Sequence, residues 1–109
     1  MLEYRELAPI VRRLVRIRAK LTVKAKERCG SWIHHTHIHF GGGMFKPGTI
    51  HLAQRDFDMP RDAKAALLIH EAIHVKLSIG KHTQNFWNLQ REFIADLRFL
   101  ELCFNGRSK

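Results

Sequence analysis

The sequence predicts an α+β domain in which a long N-terminal helix precedes a small sheet and two further helices. Three observations predict it. Apolar residues recur at steps of three and four near the two ends of the chain, the repeat of a helix with one buried face. Residues 31–53 combine β-prone residues with two turn signals. Residues 61–77 are rich in good helix formers and lie between a proline and a glycine. A chain of 109 residues, 45% of them hydrophobic, is long enough to bury one core without disulfide staples. We read residues 1–109 as a single domain.

The first helix is expected over about residues 3–28. Leu7, Ile10, Leu14, Ile17 and Leu21 form its apolar stripe, and Pro9 sits near its start. Arg12, Arg13, Arg16, Lys20 and Lys24 occupy the other face, and Cys29-Gly30 ends it. Trp32 to Phe40 is β-prone, Gly41-Gly42-Gly43 marks a turn, Lys46-Pro47-Gly48-Thr49 a second turn, and Ile50 to Ala53 a second strand. An antiparallel or mixed sheet follows from these. In the helix over 61–77, Pro60 and Asp62 suit the start and Gly80 stands just past the end. Leu67, Leu68, Ile69, Ile73 and Leu77 are its expected core residues. The last helix spans about 83–104, with Phe86, Phe93, Leu97, Leu100 and Phe104 as its buried stripe.

His70-Glu71-Ala72-Ile73-His74 lies inside the third of these segments. Side chains four apart on a helix sit one above the other. His70 and His74 therefore offer two imidazoles to one ion, with Glu71 beside them. H-E-x-x-H is the pattern in which two histidines bind zinc and the glutamate acts as general base. The competing reading is a core helix with two half-exposed histidines.

A hydrolytic zinc site takes a third protein ligand and keeps one position for water. Glu92 follows His74 after seventeen residues, in Glu92-Phe93-Ile94-Ala95-Asp96. It offers a carboxylate ligand, and Asp96, one turn on, offers an acceptor for the second ring N–H of a ligand histidine. The set His70, Glu71, His74, Glu92 and Asp96 resembles the gluzincin metallopeptidases, whose signature is H-E-x-x-H followed by a helix carrying E-x-x-x-D. The form E-x-x-A-D is especially similar to membrane-bound peptidases of the HtpX type and to their soluble minimal relatives, the minigluzincins. The short chain fits the minigluzincins best. The resemblance covers residues 70–96. It implies a minimal zincin-like domain with an active-site helix and a following glutamate helix, and a zinc-dependent endopeptidase acting on polypeptide. Its implied cofactor is Zn2+ on His70, His74 and Glu92. Glu71 is then the catalytic base, and two readings of His82 stay open: it faces the cleft and steadies the oxyanion, or it is a loop histidine that caps the last helix. Such small domains are also kept latent by their own chain or by oligomers, so self-association through a free strand edge is expected.

His82 supports a rival arrangement. It follows His74 after seven residues, in Lys81-His82-Thr83-Gln84-Asn85-Phe86-Trp87. That stretch resembles the SprT and WLM-type zincins, where a later histidine, often followed by an aromatic, completes a three-His site and several members act near DNA. If the last helix begins at Thr83, Glu92 lies about 13–14 Å further along its axis, so His82 and Glu92 do not serve the same ion.

The stretch Ile33-His34-His35-Thr36-His37-Ile38-His39 would, as a strand, put His35, His37 and His39 on one face and His34 on the other. Three readings are open: rim histidines, contact with an extended substrate, and a second metal site. Charge is the other outlier. Nineteen basic against ten acidic residues give a formal +9. That excess suits a solvated basic face, binding to a nucleic acid or an anionic membrane surface, or a preference for acidic polypeptide substrates. No zinc-finger or RRM signature accompanies it, and a basic nucleic-acid-binding module with a structural metal is the alternative function class. Two cysteines, Cys29 and Cys103, make neither a disulfide framework nor a Cys-based zinc site. The N-terminus lacks an apolar signal segment, and no run approaches the roughly 20 apolar residues of a membrane span. A cytoplasmic protein is expected.

Overall fold

The computed structural model describes residues 2–25, 36–40 and 46–108, and over them the α+β class holds. The elements are α1 (Leu2–Val15), β1 (Thr22–Ala25), β2 (His37–Ile38), β3 (Thr49–Leu52), a 3-10 turn (Gln54–Asp56), α2 (Arg61–Leu77) and α3 (Gln84–Ser108). The predicted end of the first helix at Cys29-Gly30, the segment 31–35 and the Gly41–Gly43 turn lie outside the described residues, as do the side chains of Cys103 and Phe104.

The helix expected over 3–28 stops at Val15. Arg16 takes a left-handed φ of 62°, and the N–H groups of Arg16 and Ile17 both donate to the Arg12 carbonyl, at 3.0 and 3.3 Å. A residue in that conformation ends helical hydrogen bonding. Lys76 Nζ, from α2, donates to the carbonyl of Val15 at 3.0 Å and satisfies part of the helix end. The buried stripe also runs along a different line from the expected one. Tyr4, Leu7, Ala8, Val11 and Val15 are buried, whereas Ile10 is 42% exposed and Leu14 only partly covered. The spacing four, seven, eight, eleven, fifteen keeps one face inward. Thr22 and Val23, β-branched residues that favour extended backbone, begin a strand instead.

The sheet has the order β1-β3-β2, with β1 parallel to β3 and β2 antiparallel to it. Gly48 joins the three. Its carbonyl accepts from Thr22 N–H at 3.1 Å, and its N–H donates to the His39 carbonyl at 2.9 Å. Its φ is +89°, and a Cβ there would stand 2.5 Å from the Lys20 carbonyl oxygen. Only glycine meets both demands.

Helix α2 has the bounds read from the sequence. Leu68, Ile69, Ala72 and Ile73 are buried, while Leu67 and Leu77 are only partly covered. The residue that ends it in the left-handed region is Ser78 (φ 52°), not Gly80. α2 packs against α1, α3 and β2, so one face of it meets apolar neighbours while the other borders the polar cleft. Lys64 on α2 is buried against α1, where its Nζ lies 2.7 Å from Glu3 Oε1 and 5.4 Å from the centre of the Tyr4 ring. Helix α3 starts behind Thr83, whose Oγ1 accepts the N–H of Phe86 at 3.2 Å, a side-chain cap. Phe86 and Leu97 are buried as expected, but Leu100 is 42% exposed. Among the described residues no helix is long and apolar enough to cross a membrane.

Candidate metal centre

His70 and His74 stand one turn apart on α2, and His82 comes back to them from the loop that follows. The return starts at Ser78: Ser78 N–H donates to the Val75 carbonyl at 3.1 Å and Ile79 N–H to that of His74 at 3.2 Å. The left-handed residue reverses the chain, and His82 swings over the end of α2. The three Nε2 atoms then lie 3.3 Å (His70–His74), 3.1 Å (His70–His82) and 3.2 Å (His74–His82) apart. Three nitrogens at about 2.0–2.1 Å from a tetrahedral zinc are roughly 3.3–3.4 Å from one another. The trio therefore has the spacing of three ligands around one ion.

The other ring nitrogens explain why these atoms face inward. His70 Nδ1–H donates to Gln90 Oε1 at 2.7 Å, and His74 Nδ1–H donates to the Ile79 carbonyl at 2.8 Å. With the proton held at Nδ1, each Nε2 keeps its lone pair for a metal. Burial lowers the pKa of both rings, which also favours the neutral, ligating form. Phe86, fully buried, is packed against all three imidazoles, with ring centroids 4.8, 4.6 and 4.9 Å away. Trp87 leans over His82 at 5.1 Å. These aromatics orient the rings and keep water from one side of the trio.

Glu71 is 5% exposed and borders, with His70, Gln90, Thr36 and Asp56, a cleft of about 410 Å3. Burial, and then the Asp56 carboxylate, push the Glu71 carboxyl up to about 8. A dication on the neighbouring imidazoles would act in the opposite sense and favour the ionised form. Asp56 is held in place by Thr36, whose Oγ1 donates to Asp56 Oδ2 and accepts from Ala53 N–H at 2.9 Å.

The structure thus brings together His70, Glu71, His74 and His82, and departs from the expected set at two positions. Glu92 and Asp96 are both exposed on α3 and do not join the trio. The reason is helical geometry. Gln90 faces α2, and two residues further on the helix has turned by about 200°, so Glu92 points away. The partner expected in Asp96 is Gln90 for one histidine and a backbone carbonyl for the other. Sequence reasoning missed Gln90. Its signal was present: it lies four residues after Phe86 on the inward stripe, a polar amide at a position periodicity assigns to the core.

No family model and no curated protein matches the chain. Among solved structures, the chain is similar to the metallopeptidase zymogen of Pyrococcus abyssi abylysin. The TM-score is 0.62 at 20% identity, over 91% of this chain and 94% of that one. The two therefore share a fold over nearly their full lengths.

Proposed function

We propose that this chain is a zinc-dependent endopeptidase, with the ion held by His70, His74 and His82 and with Glu71 as general base. The observation that carries the reading is the convergence of three Nε2 atoms at 3.1–3.3 Å beside a buried glutamate on a cleft. The fold likeness to a metallopeptidase zymogen supports it. His82 takes the place expected for Glu92, which favours the three-His arrangement of the SprT and WLM-type zincins over the gluzincin one. A zinc ion there supplies Lewis acidity toward a peptide carbonyl and acidifies a water at its open position. Glu71 takes a proton from the attacking water as the C–O bond forms, and hands it to the amine as the C–N bond breaks. Gln90 and the Ile79 carbonyl keep His70 and His74 in the ligating tautomer. The edge strand β2, with Phe40 6.5 Å from His74 between ring centroids, offers backbone groups to an extended peptide.

Three variants test this, with zinc affinity and hydrolysis of an unfolded protein as readouts. Glu71→Gln keeps the ion and loses at least about 100-fold in kcat/KM. His82→Ala weakens zinc binding more than about 100-fold, beyond what loss of a ligand's supporting partner alone costs. Glu92→Ala changes neither. Full turnover by Glu71→Gln, or equal effects of the His82 and Glu92 substitutions on zinc, would overturn the assignment.

A second reading, association with nucleic acid, is favoured by one observation. Arg5, Arg12, Lys20 and Lys24 line a common cleft of about 480 Å3 between α1 and β1. Neutralised phosphates release counterions, so retention on DNA should fall steeply with salt. Retention that is absent at low salt removes this reading and leaves the peptidase reading intact.

A further inference from the structure

The strand histidines form a second convergent group. His37, on β2, and His39, just past its end, are two residues apart and share a face. On β3, His51 is the register partner of His37, which puts its ring on that same face. The three ring centroids lie 5.3 Å (His37–His39), 5.2 Å (His37–His51) and 5.0 Å (His39–His51) apart. One ligand nitrogen from each lies within 4.8 Å of the others. Ile38 and its register partner Ile50 point the other way, into the core. The group therefore occupies the face of the sheet turned away from the core. It shares no residue with His70, His74 and His82.

We propose that His37, His39 and His51 bind a second transition-metal ion, which clamps the edge strand β2 onto the central strand β3. Imidazole ligands select borderline ions, of which zinc is one and Cu2+ and Ni2+ are others. The nitrogens must draw in from 4.8 Å or less toward the roughly 3.3–3.4 Å of a tetrahedral edge, a change that rotation of half-buried His37 and His39 supplies. His51 is fully buried and acts as the fixed corner. Lys24 of β1 is the register partner of His51 on its other side. A dication would press its ammonium toward solvent, which a flexible four-carbon stem allows.

The clamp has a structural purpose. β2 is two residues long and is flanked by two backbone bonds, His39 N–H to the Thr49 carbonyl and Gly48 N–H to the His39 carbonyl, both 2.9 Å. Two-stranded pairings this short are weak alone. An ion joining His37 and His39 to His51 adds a cross-link to a strand that is only two residues long.

Zinc stoichiometry per chain, measured after dialysis, tests the proposal apart from the peptidase reading. The unmodified protein binds two ions. The triple variant His70→Ala/His74→Ala/His82→Ala binds one, and added zinc still raises its thermal midpoint. Placing His37→Gln and His39→Gln in that background removes the last ion and abolishes the rise. Half-buried His37 and His39 are chosen over buried His51 so that the fold survives, and circular dichroism of the metal-free variants checks that it does. A triple variant that binds no zinc, or a quintuple variant that keeps its ion, would overturn the proposal. Neither result bears on the first trio, which both variants lack.

Discussion

A ligand histidine is only as good as the hydrogen bond on its far nitrogen. At the first trio that bond comes from an amide side chain for His70 and from a backbone carbonyl for His74. The two differ in how they respond to mutation. The Ile79 carbonyl cannot be substituted away, whereas Gln90 can. Gln90→Leu should free the His70 ring to turn and protonate at either nitrogen, and zinc affinity should drop about 10–100-fold, the usual loss for a supporting partner. Gln90→Glu, which still accepts from Nδ1–H, should restore most of it. Equal zinc affinity in the unmodified protein and Gln90→Leu would show that packing against Phe86 alone orients the ring. Asp96, the carboxylate expected in this role, is exposed on α3. Gln90 instead stands one turn after Phe86, on the side of the helix that meets His70.

At the scale of elements, the ends decide more than the middles. Helix α2 was legible from end to end because its pattern is local: a proline before it, good helix formers within it and two histidines at one-turn spacing. The residue that reverses the chain after it was not, because Ser78 takes the left-handed conformation two residues before the glycine that propensity favours. That choice sets where the loop reverses and hence where His82 arrives. A non-glycine residue there costs about 1–2 kcal/mol, which glycine avoids at some cost in chain entropy. Ser78→Gly should therefore raise stability by up to about 1 kcal/mol, read from the denaturant midpoint, with zinc affinity unchanged. Helix α1 illustrates the converse. Its sequence carries apolar residues at helical steps through Leu21, but Arg16 turns the chain and Thr22 pairs with Thr49. Strand pairing with a segment nearly thirty residues away overrides a local repeat.

The whole molecule is fastened where α1, α2 and the 3-10 turn meet, at Tyr4. Its ring is buried under Lys64, and its hydroxyl donates to the carbonyl of Asp56, the residue whose carboxylate also faces Glu71. Burial, and then that carboxylate, push the phenol up to about 12 from 10.0. The folded state favours the neutral phenol, because a phenolate has no proton to donate. Its contribution is fully present below pH 10 and is lost as pH rises through 12. Tyr4 is the single tyrosine of the chain, so the ultraviolet phenolate band reports it alone. The band should emerge near pH 12 in the folded protein and near 10 after denaturation, with stability falling between the two. A native titration already centred at 10 would show that the phenol is solvated. The link also joins the core to the site, since Asp56 is held by both Tyr4 and Thr36.

Sequence alone determined the class of the fold, the bounds of α2 and the placing of His70, Glu71 and His74 together, because these depend on contacts within one or two helical turns and a period of 3.6 residues fixes them. It also left His82 and Glu92 as rivals, since both lie beyond the reach of that period. Only the tertiary structure decided where each of them stands relative to His70 and His74. A reversed loop carries His82 back over α2, the rotation of α3 turns Glu92 outward and Gln90 inward, and the register of β2 against β3 sets His51 beside His37. Each of these depends on how separate elements pack, which no single segment encodes.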